Sequence, residues 1–597
     1  MKFSKYAAAL GIVALLGITN SCKEEFLDVT PNGALDEAVL ANAKGIDALL
    51  IGAYSMLDGT SDQGFGWEAA SSNWVYGSIR GMEANKGTDA GDQPDINPIM
   101  TFSEASTNPY LNIKWRAIYD GISRTNSALR TVDKALAAGS ITQAEADRFI
   151  GQGRALRGIF HFEAWRMWSK DDGSGIPYMD KDTDPATVKN DDPTVGDKII
   201  ADLQAGIALP ENMGQVGRFN KTVCQVLTAK ALMQIKKDYV AAEALLQAVV
   251  GANGATTGAG KRPDGGEIGL EQLYGDIFDI TKRNGREAIY TVQYSVNDGS
   301  GGWNGGWGEV LNFPYKGGGS PGGCCGFFQP NQELVNSFRT LNGLPLLDNS
   351  YNTGANQVKS DQGLGINDPF TPDAGELDPR LDWTVGRRGI PYLDWGPHTG
   401  QDWIRDQGYA GPYSPKKQVY RKSQEGQLTE VGNWTSGWTA NGYRLIRYAD
   451  VLLLLAECQI ENNKLAEART NINAVRARAA NPNGFVKTSA NANAANYVIN
   501  QYPNSGAPFD TQANARVALR MERKLELGME GHRYFDLQRW GGSFLQTDLN
   551  RIMTYERALR PIQFGSATIG PEDVNYPVPQ RQIELSNGNI QQNRAGS

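Results

Sequence analysis

The chain has 597 residues, a net charge of −8 and three histidines, with 40% hydrophobic and 21% charged residues. That balance gives no nucleic-acid footprint, which requires a clustered basic surface. The 69 glycines place much of the chain in loops, and the length fits either several domains or one scaffold with long inserted loops.

Lys2 and Lys5 precede an apolar run over 7–18, then small polar residues and Cys22. This is a secretory signal, too short to remain as a spanning helix. Cys22 after Thr19, Asn20 and Ser21 resembles a lipoprotein cleavage site, and Lys23-Glu24-Glu25 resembles an acidic export tag to the cell surface. Residues 1–21 are therefore expected to be removed, leaving Cys22 diacylated as a two-chain anchor. Simple secretion with a structural Cys22 is the plainer alternative.

After a short tether, helical periodicity predicts helices over 35–57, 109–136, 142–168, 194–209, 221–233 and 239–250. Thr142 with Glu145 three residues on is a capping-box start. The stretch 251–441 changes character. Residues 299–326 carry twelve glycines in twenty-eight positions, which no helix interior tolerates at about 1 kcal/mol each relative to Ala. Residues 287–294 alternate like a strand. Seven of the thirteen tryptophans fall between Trp303 and Trp438, beside Gly, Asp, Thr or Ser and outside periodic runs.

Residues 443–480 predict two helices joined at Glu461-Asn462-Asn463. Leu445, Tyr448, Ala449, Leu452, Ala456 and Ile460 share one face, and Leu465, Ala468, Ile472, Val475 and Ala479 share another. Such a helical hairpin, of the tetratricopeptide kind, needs a neighbour to bury its face. Residues 516–527 and 532–540 add further helix, and the tail from 565 is polar and extended. The fold class expected is all-α: a tetratricopeptide-like scaffold in one domain over 22–597. Its helical parts, 22–250 and 442–597, are separated by a loop-rich insertion with short strands, 251–441.

Metal and catalytic signals are weak. No HxH, HExxH or CxxC occurs, nor a phosphate loop ending in Lys-Ser/Thr, so neither a metal nor a cofactor is expected. His161, His398 and His532 read as structural. Asp89, Asp92 and Asp95 step by three in a Gly/Pro loop, which suits a solvated acidic loop or, alternatively, calcium. Glycoside hydrolysis needs two carboxylates across a cleft, and nothing in the sequence singles out a pair. The positive signal is aromatic. A Trp offers a rigid apolar plate to the C–H face of a sugar at low entropy cost; the plainer reading of any one Trp is packing under its own loop. Cys324 and Cys325, flanked by Gly323 and Gly326, suit either a vicinal disulfide forming part of a ligand floor or two reduced core thiols. Cys224 and Cys458 read as buried free thiols.

The segments YRLIRYADVLLLLAE from Tyr443, NAVRARA and ERKLELGMEGHRYFDLQRW from Glu522 resemble the C-terminal signature of the SusD/RagB family. YLNIKWRAIYDGISRTNSAL from Tyr110, GQGRALRGIFHFEAWRMW from Gly151, the stretch 202–233 and FFQPNQELVNSF followed by NGLPLLD resemble its earlier segments, in order. The resemblance implies a non-catalytic surface lipoprotein of the outer membrane. Such a protein captures oligosaccharide or polysaccharide for a SusC-like TonB-dependent transporter, which it caps like a lid. By position it implies ligand contacts from Trp67 and Trp74 in an early loop and from Trp303, Trp307 and Trp395 in the insertion. Some relatives take peptides, which is the alternative within the same class; a surface glycosidase is the alternative outside it. Mass spectrometry of unreduced, alkylated protein distinguishes the two cysteine readings. A vicinal disulfide leaves Cys324 and Cys325 unlabelled, and label on both sulfurs rejects it.

Overall fold

The computed structural model describes residues 37–60, 66–316 and 319–594. The signal segment and Cys22 lie outside them.

The architecture is mostly helical. The main helices are α1 (Ala43–Ser55), α2 (Pro109–Ala137), α3 (Gln143–Trp168), α4 (Val195–Ala205), α5 (Lys221–Ala231), α6 (Tyr239–Val250), α7 (Tyr448–Glu461), α8 (Leu465–Ala479), α9 (Gln512–Leu527), α10 (Arg533–Trp540) and α11 (Gly542–Leu559). Among the described residues none is long and apolar enough to cross a membrane. Helices α2 and α3, α3 and α4, α5 and α6, and α7 and α8 pack against each other as successive neighbours. Helix α6 also packs on α7, so helices from either side of the insertion meet. One apolar cluster runs from Ile46 to Ile590 and takes in the whole inward face of α7, including Leu452, Leu453 and Leu455.

Local chemistry sets several boundaries. Asn42 accepts from the N–H groups of Lys44 and Gly45, so α1 starts there and the helix expected over 35–57 is split. Thr142 and Glu145 form the expected capping box at α3. The expected helix start near Tyr443 is corrected. Arg444–Arg447 is a strand, paired antiparallel with Ala288–Thr291, and α7 begins only at Tyr448. Tertiary pairing overrides helical periodicity there because the strand aims Arg447 into a buried cluster of acids. Helix α11 is absent from the sequence expectation; its buried stripe of Leu545, Leu549, Ile552 and Met553 is short and follows two glycines.

Of the short strands, those that position the site are β1 (Ala84–Gly87), β2 (Ala288–Thr291), β3 (Phe327–Pro330), β4 (Thr429–Glu430), β5 (Trp438–Thr439) and β6 (Arg444–Arg447). They pair two by two, β1 with β3, β2 with β6 and β4 with β5, all antiparallel. The first two pairs stitch the insertion to the helical scaffold; the third lies within it.

Charge is buried on an unusual scale. Arg447 reaches Glu287 at 2.9 Å, Glu526 at 2.7 Å and Glu530 at 2.7 Å. Glu526 also holds Arg380 at 3.0 Å and Arg478 at 2.5 Å. Glu522 bridges Arg380 and Arg476, and Lys417 closes on Glu530 at 2.7 Å. None of these side chains is more than 4% exposed. A second cluster joins Asp450 to Lys230 and Arg523, and Arg539 to Glu457 and Asp536. A third joins Glu333 to Lys524 and Arg551. Removing one partner of such a set strands a charge in low dielectric and costs about 3–5 kcal/mol.

Burial alone would raise these carboxyls and does raise that of Glu287, but at Glu333, Asp536 and Glu526 the adjacent cations outweigh it. Glu333 is held at about 2 by Lys524 and Arg551, Asp536 at about 2 by Arg523 and Arg539, and Glu526 below the usual carboxylate range by Arg478, Arg447 and Arg380. Groups depressed on folding stabilise the native state above their unfolded pKa, and that contribution is lost as pH falls through the folded value. The helical signal at 222 nm should therefore hold down to about pH 4 and collapse toward about pH 2. Glu333→Gln should be less stable at neutral pH and show a shallower acid transition.

A tryptophan ladder in the insertion

The insertion leaves β2 through a self-bonded loop. Asp298 accepts from the Ser300 N–H at 3.0 Å and from Asn304 Nδ2 at 2.9 Å, and the Asn304 carbonyl accepts from the Ser295 N–H at 2.8 Å. These bonds, the Asn304 side chain first, hold the exposed Asp298 carboxyl below its ordinary range. The loop lifts Trp303 out of the surface, where its side chain is 53% exposed. Beneath it Trp307 turns back, its indole Nε1 donating to the Gly302 carbonyl at 2.9 Å. The two indoles stack with centroids 4.8 Å apart and planes 23° apart.

Trp307 is the branch point. On one side it meets Trp67 at 6.2 Å, and on the other Trp438 at 5.3 Å. Trp438 lies in β5, and the tip of the β4–β5 hairpin carries Trp434, edge-on to Trp438 at 5.4 Å and 43% exposed. Five tryptophans thus form a ladder whose middle is buried and whose ends, Trp303 and Trp434, meet solvent. Two glycines make room for it. A Cβ on Gly432 would fall 1.7 Å from the Trp438 ring, and one on Gly302, at φ +87°, would fall 3.0 Å from the same ring.

Beside the ladder, Gly322 locks the glycine-rich loop to the hairpin. Its carbonyl accepts from Thr435 Oγ1 at 2.9 Å and the Ser436 N–H at 3.2 Å, and its N–H donates to the Tyr420 hydroxyl at 2.9 Å. Two residues on, the sulfurs of Cys324 and Cys325 are joined; Cys325 is buried and Cys324 half-buried. Tyr315, 37% exposed, stands over Gly326 with the Arg405 guanidinium 5.1 Å from its ring.

The expected aromatics fare unequally. Trp303 is a plate open to solvent. Trp307 and Trp67, at 6% and 8% exposure, lie under the surface and back that plate. Trp74 is corrected to a core residue. It is 1% exposed, packs on Phe328 at 5.7 Å and donates to the Gly308 carbonyl at 2.9 Å, so no ring face is left for a ligand. Trp395 is half-buried in a neighbouring cluster, edge-on to Tyr420 at 5.7 Å, and is separate from the ladder. Trp434 lies outside the expected set, yet its setting, beside Asn433 and Thr435 in a non-periodic loop, carries the same signal as Trp303.

The other sequence candidates are engaged structurally. Lys86 places its ammonium on the carbonyls of Asp89 and Asp92, and Arg405 pairs with both carboxylates, so cationic side chains sit where calcium was considered. His161 accepts from the Met179 N–H and His398 from the Gly400 N–H; burial lowers them to about 4 and about 3, so both are neutral imidazoles. The carboxylates on the ladder's own loops also hold loop bonds: Glu309 to Asn312, Glu425 to Tyr420 and Ser436, and Glu430 to the Asn297 N–H.

Concavity alone points elsewhere. A 1030 Å³ cleft opens between α3 and α10, and a 650 Å³ groove runs along α8. The groove has no aromatic side chain in its lining among the described residues, and the cleft has only the half-buried Trp165. A chain of sugar rings needs open plates, so the ladder is the better candidate. Because Trp438 supports both ends, Trp438→Ala should destabilise the fold by about 3–5 kcal/mol, whereas Trp303→Ala should leave the thermal midpoint within about a degree or two. Paired thermal unfolding scans check this.

Comparison with known proteins places this geometry in a family. The SusD family profile matches residues 286–596, and a profile described as "Starch-binding associating with outer membrane" matches 25–252. A search of curated sequences gives no match. Among solved structures, a SusD homolog from Bacteroides thetaiotaomicron VPI-5482 is similar at 21% identity, with 95% of this chain and 100% of that one covered and a TM-score of 0.63. Surface glycan-binding protein A from Bacteroides thetaiotaomicron, in complex with laminarihexaose, is similar at 19% identity over 92% and 99%, TM-score 0.63. A laminarin-binding SusD-like protein is similar at 20% identity over 93% and 100%, TM-score 0.61. With its own profile spanning the second half of the chain and the same helical fold throughout, the protein belongs to the SusD family.

Proposed function

We propose that this protein is a non-catalytic, lipid-anchored glycan-binding protein of the outer-membrane surface. It captures oligosaccharides and hands them to a SusC-like TonB-dependent transporter. The observation that carries the reading is the pair of exposed plates, Trp303 and Trp434, held by three ring-to-ring contacts through Trp307 and Trp438. A plate immobilised from behind stacks on a sugar face without losing rotamer entropy at binding. Asn433, Asn304 and Ser300 lie on the same two loops and supply hydroxyl-reading groups. The joined Cys324–Cys325 pair, tied through Gly322 to the Trp434 hairpin, forms the adjoining floor.

Support from relatives comes from one similar protein in complex with laminarihexaose and another described as laminarin-binding. The outer-membrane wording of the N-terminal family description agrees with a lipid anchor at Cys22. Non-catalytic action is favoured because the loop carboxylates of the ladder are committed to holding the loops, whereas hydrolysis needs two free to face a glycosidic bond.

Isothermal titration of soluble protein beginning at Lys23 tests the reading, against plant, microbial and host glycans and a peptide digest. The expected result is saturable binding to a neutral glycan without release of reducing ends. Trp303→Ala and Trp434→Ala should each weaken it about 10- to 100-fold, and Trp395→Ala should change it little. Peptide binding with silent glycans would overturn the sugar reading, and sustained heat with product release would overturn the non-catalytic one.

A further inference from the structure

A pocket of 180 Å³ opens between α9 and α11, away from the ladder, and its lining is cationic: Arg520, Lys524, Arg533 and Arg551 surround it, with Asp548 as its acidic member. Asp548 is shared by Arg533 at 2.5 Å and Arg551 at 2.8 Å. Buried Glu333 is shared by Lys524 at 2.5 Å and Arg551 at 3.0 Å. Four cations therefore meet two carboxylates. Glu457 and Glu461, whose charges also reach Arg520, are held by Arg539 and Arg516. Among the described residues Arg520 makes no hydrogen bond or ion pair; its guanidinium carbon lies 3.9 Å from the centre of the Phe544 ring and 5.2 Å from that of Trp540. Arg533 is 6% exposed, and its Nε has no hydrogen-bond partner.

A desolvated cationic excess is unfavourable unless an anion joins it. It is the more notable in a chain of net charge −8. Guanidinium forks match planar or tetrahedral oxyanions with two parallel N–H bonds. Cation–π contact with Phe544 and Trp540 holds the Arg520 guanidinium in place without using its N–H donors, which stay available to a ligand. With a water's share of liquid volume at about 30 Å³, the pocket admits a sulfate, a phosphate or one carboxylate-bearing sugar ring, and no polymer. We propose that this pocket is a second, anion-selective site for a single oxyanion group, with Arg520 as the clamp and the buried Arg533 Nε as an inner donor.

The test is isothermal titration of the soluble protein beginning at Lys23 with sodium sulfate, sodium phosphate and sodium glucuronate at constant ionic strength, with glucose as the neutral control. One-site saturable binding of at least one anion is expected, at an affinity that Arg520→Gln lowers at least about tenfold. Arg520 is half-buried, so the variant should keep its helical signal. Trp303→Ala, which alters only the ladder, should leave anion binding unchanged, so the two sites succeed or fail separately. Binding of sulfate or phosphate with silent glucuronate assigns a free inorganic anion; glucuronate with silent inorganic ions assigns an acidic sugar; binding of both kinds assigns the oxyanion alone as the recognised group. No saturable binding of any of the three, or wild-type affinity in Arg520→Gln, overturns the proposal.

Discussion

The structure depends on the charge cluster centred on Arg447. An arginine with almost no exposed surface is tolerable only if every polar edge is met, and Glu287 from one part of the chain and Glu526 and Glu530 from another meet it. Glu287 precedes β2, Arg447 ends β6, and Glu526 and Glu530 lie at the end of α9 and just past it. Arg380 and Lys417 reach the same acids from the middle of the insertion. No part of this set is stable alone in low dielectric, so scaffold and insertion must form together. The buried charges thereby fix one arrangement among the many that apolar helices would accept.

The ladder inherits its position from that constraint. Pairing of β2 with β6 sets where the chain leaves the scaffold at Val292, whose N–H donates to the Tyr443 carbonyl at 2.8 Å. The Asp298 loop follows directly, and the return strand β5 lies just before β6, so Trp307 and Trp438 are brought together by the register that places Arg447 among its acids. Glycine then matters for space more than for flexibility: Gly432 and Gly302 let the Trp438 ring lie flat between two backbones. Rigid exposed tryptophans are the result, and rigidity is what turns an apolar side chain into a binding plate.

The scaffold was largely legible in the sequence. Helices α2, α3, α5 and α6 follow from apolar periodicity and caps such as Thr142 with Glu145, because those signals are local. Family motifs gave the same scaffold independently. The site was legible in kind and not in detail. Tryptophans in a glycine-rich stretch pointed to aromatic plates, yet Trp74 is core and Trp434 is exposed, and nothing in their immediate neighbours separates them. Trp74 follows Asn73 just as Trp434 follows Asn433; Trp74 opens a π-helical turn, Trp74–Ile79, and its burial is decided by Phe327 and Phe328, some 250 positions away in the chain.

Composition, periodicity and motif order determined by themselves the helical class, the helical hairpins, the loop-rich insertion and the aromatic character of the surface it offers. These depend on the 3.6-residue repeat, on capping chemistry and on glycine's cost in helices, all written within a few residues of one another. Tertiary structure alone decided that Arg444–Arg447 is a strand, which tryptophans see solvent, and that Arg520 is left without a carboxylate. Each of these depends on what approaches from distant parts of the chain, and burial, pairing and charge balance are properties of that meeting and not of the local sequence.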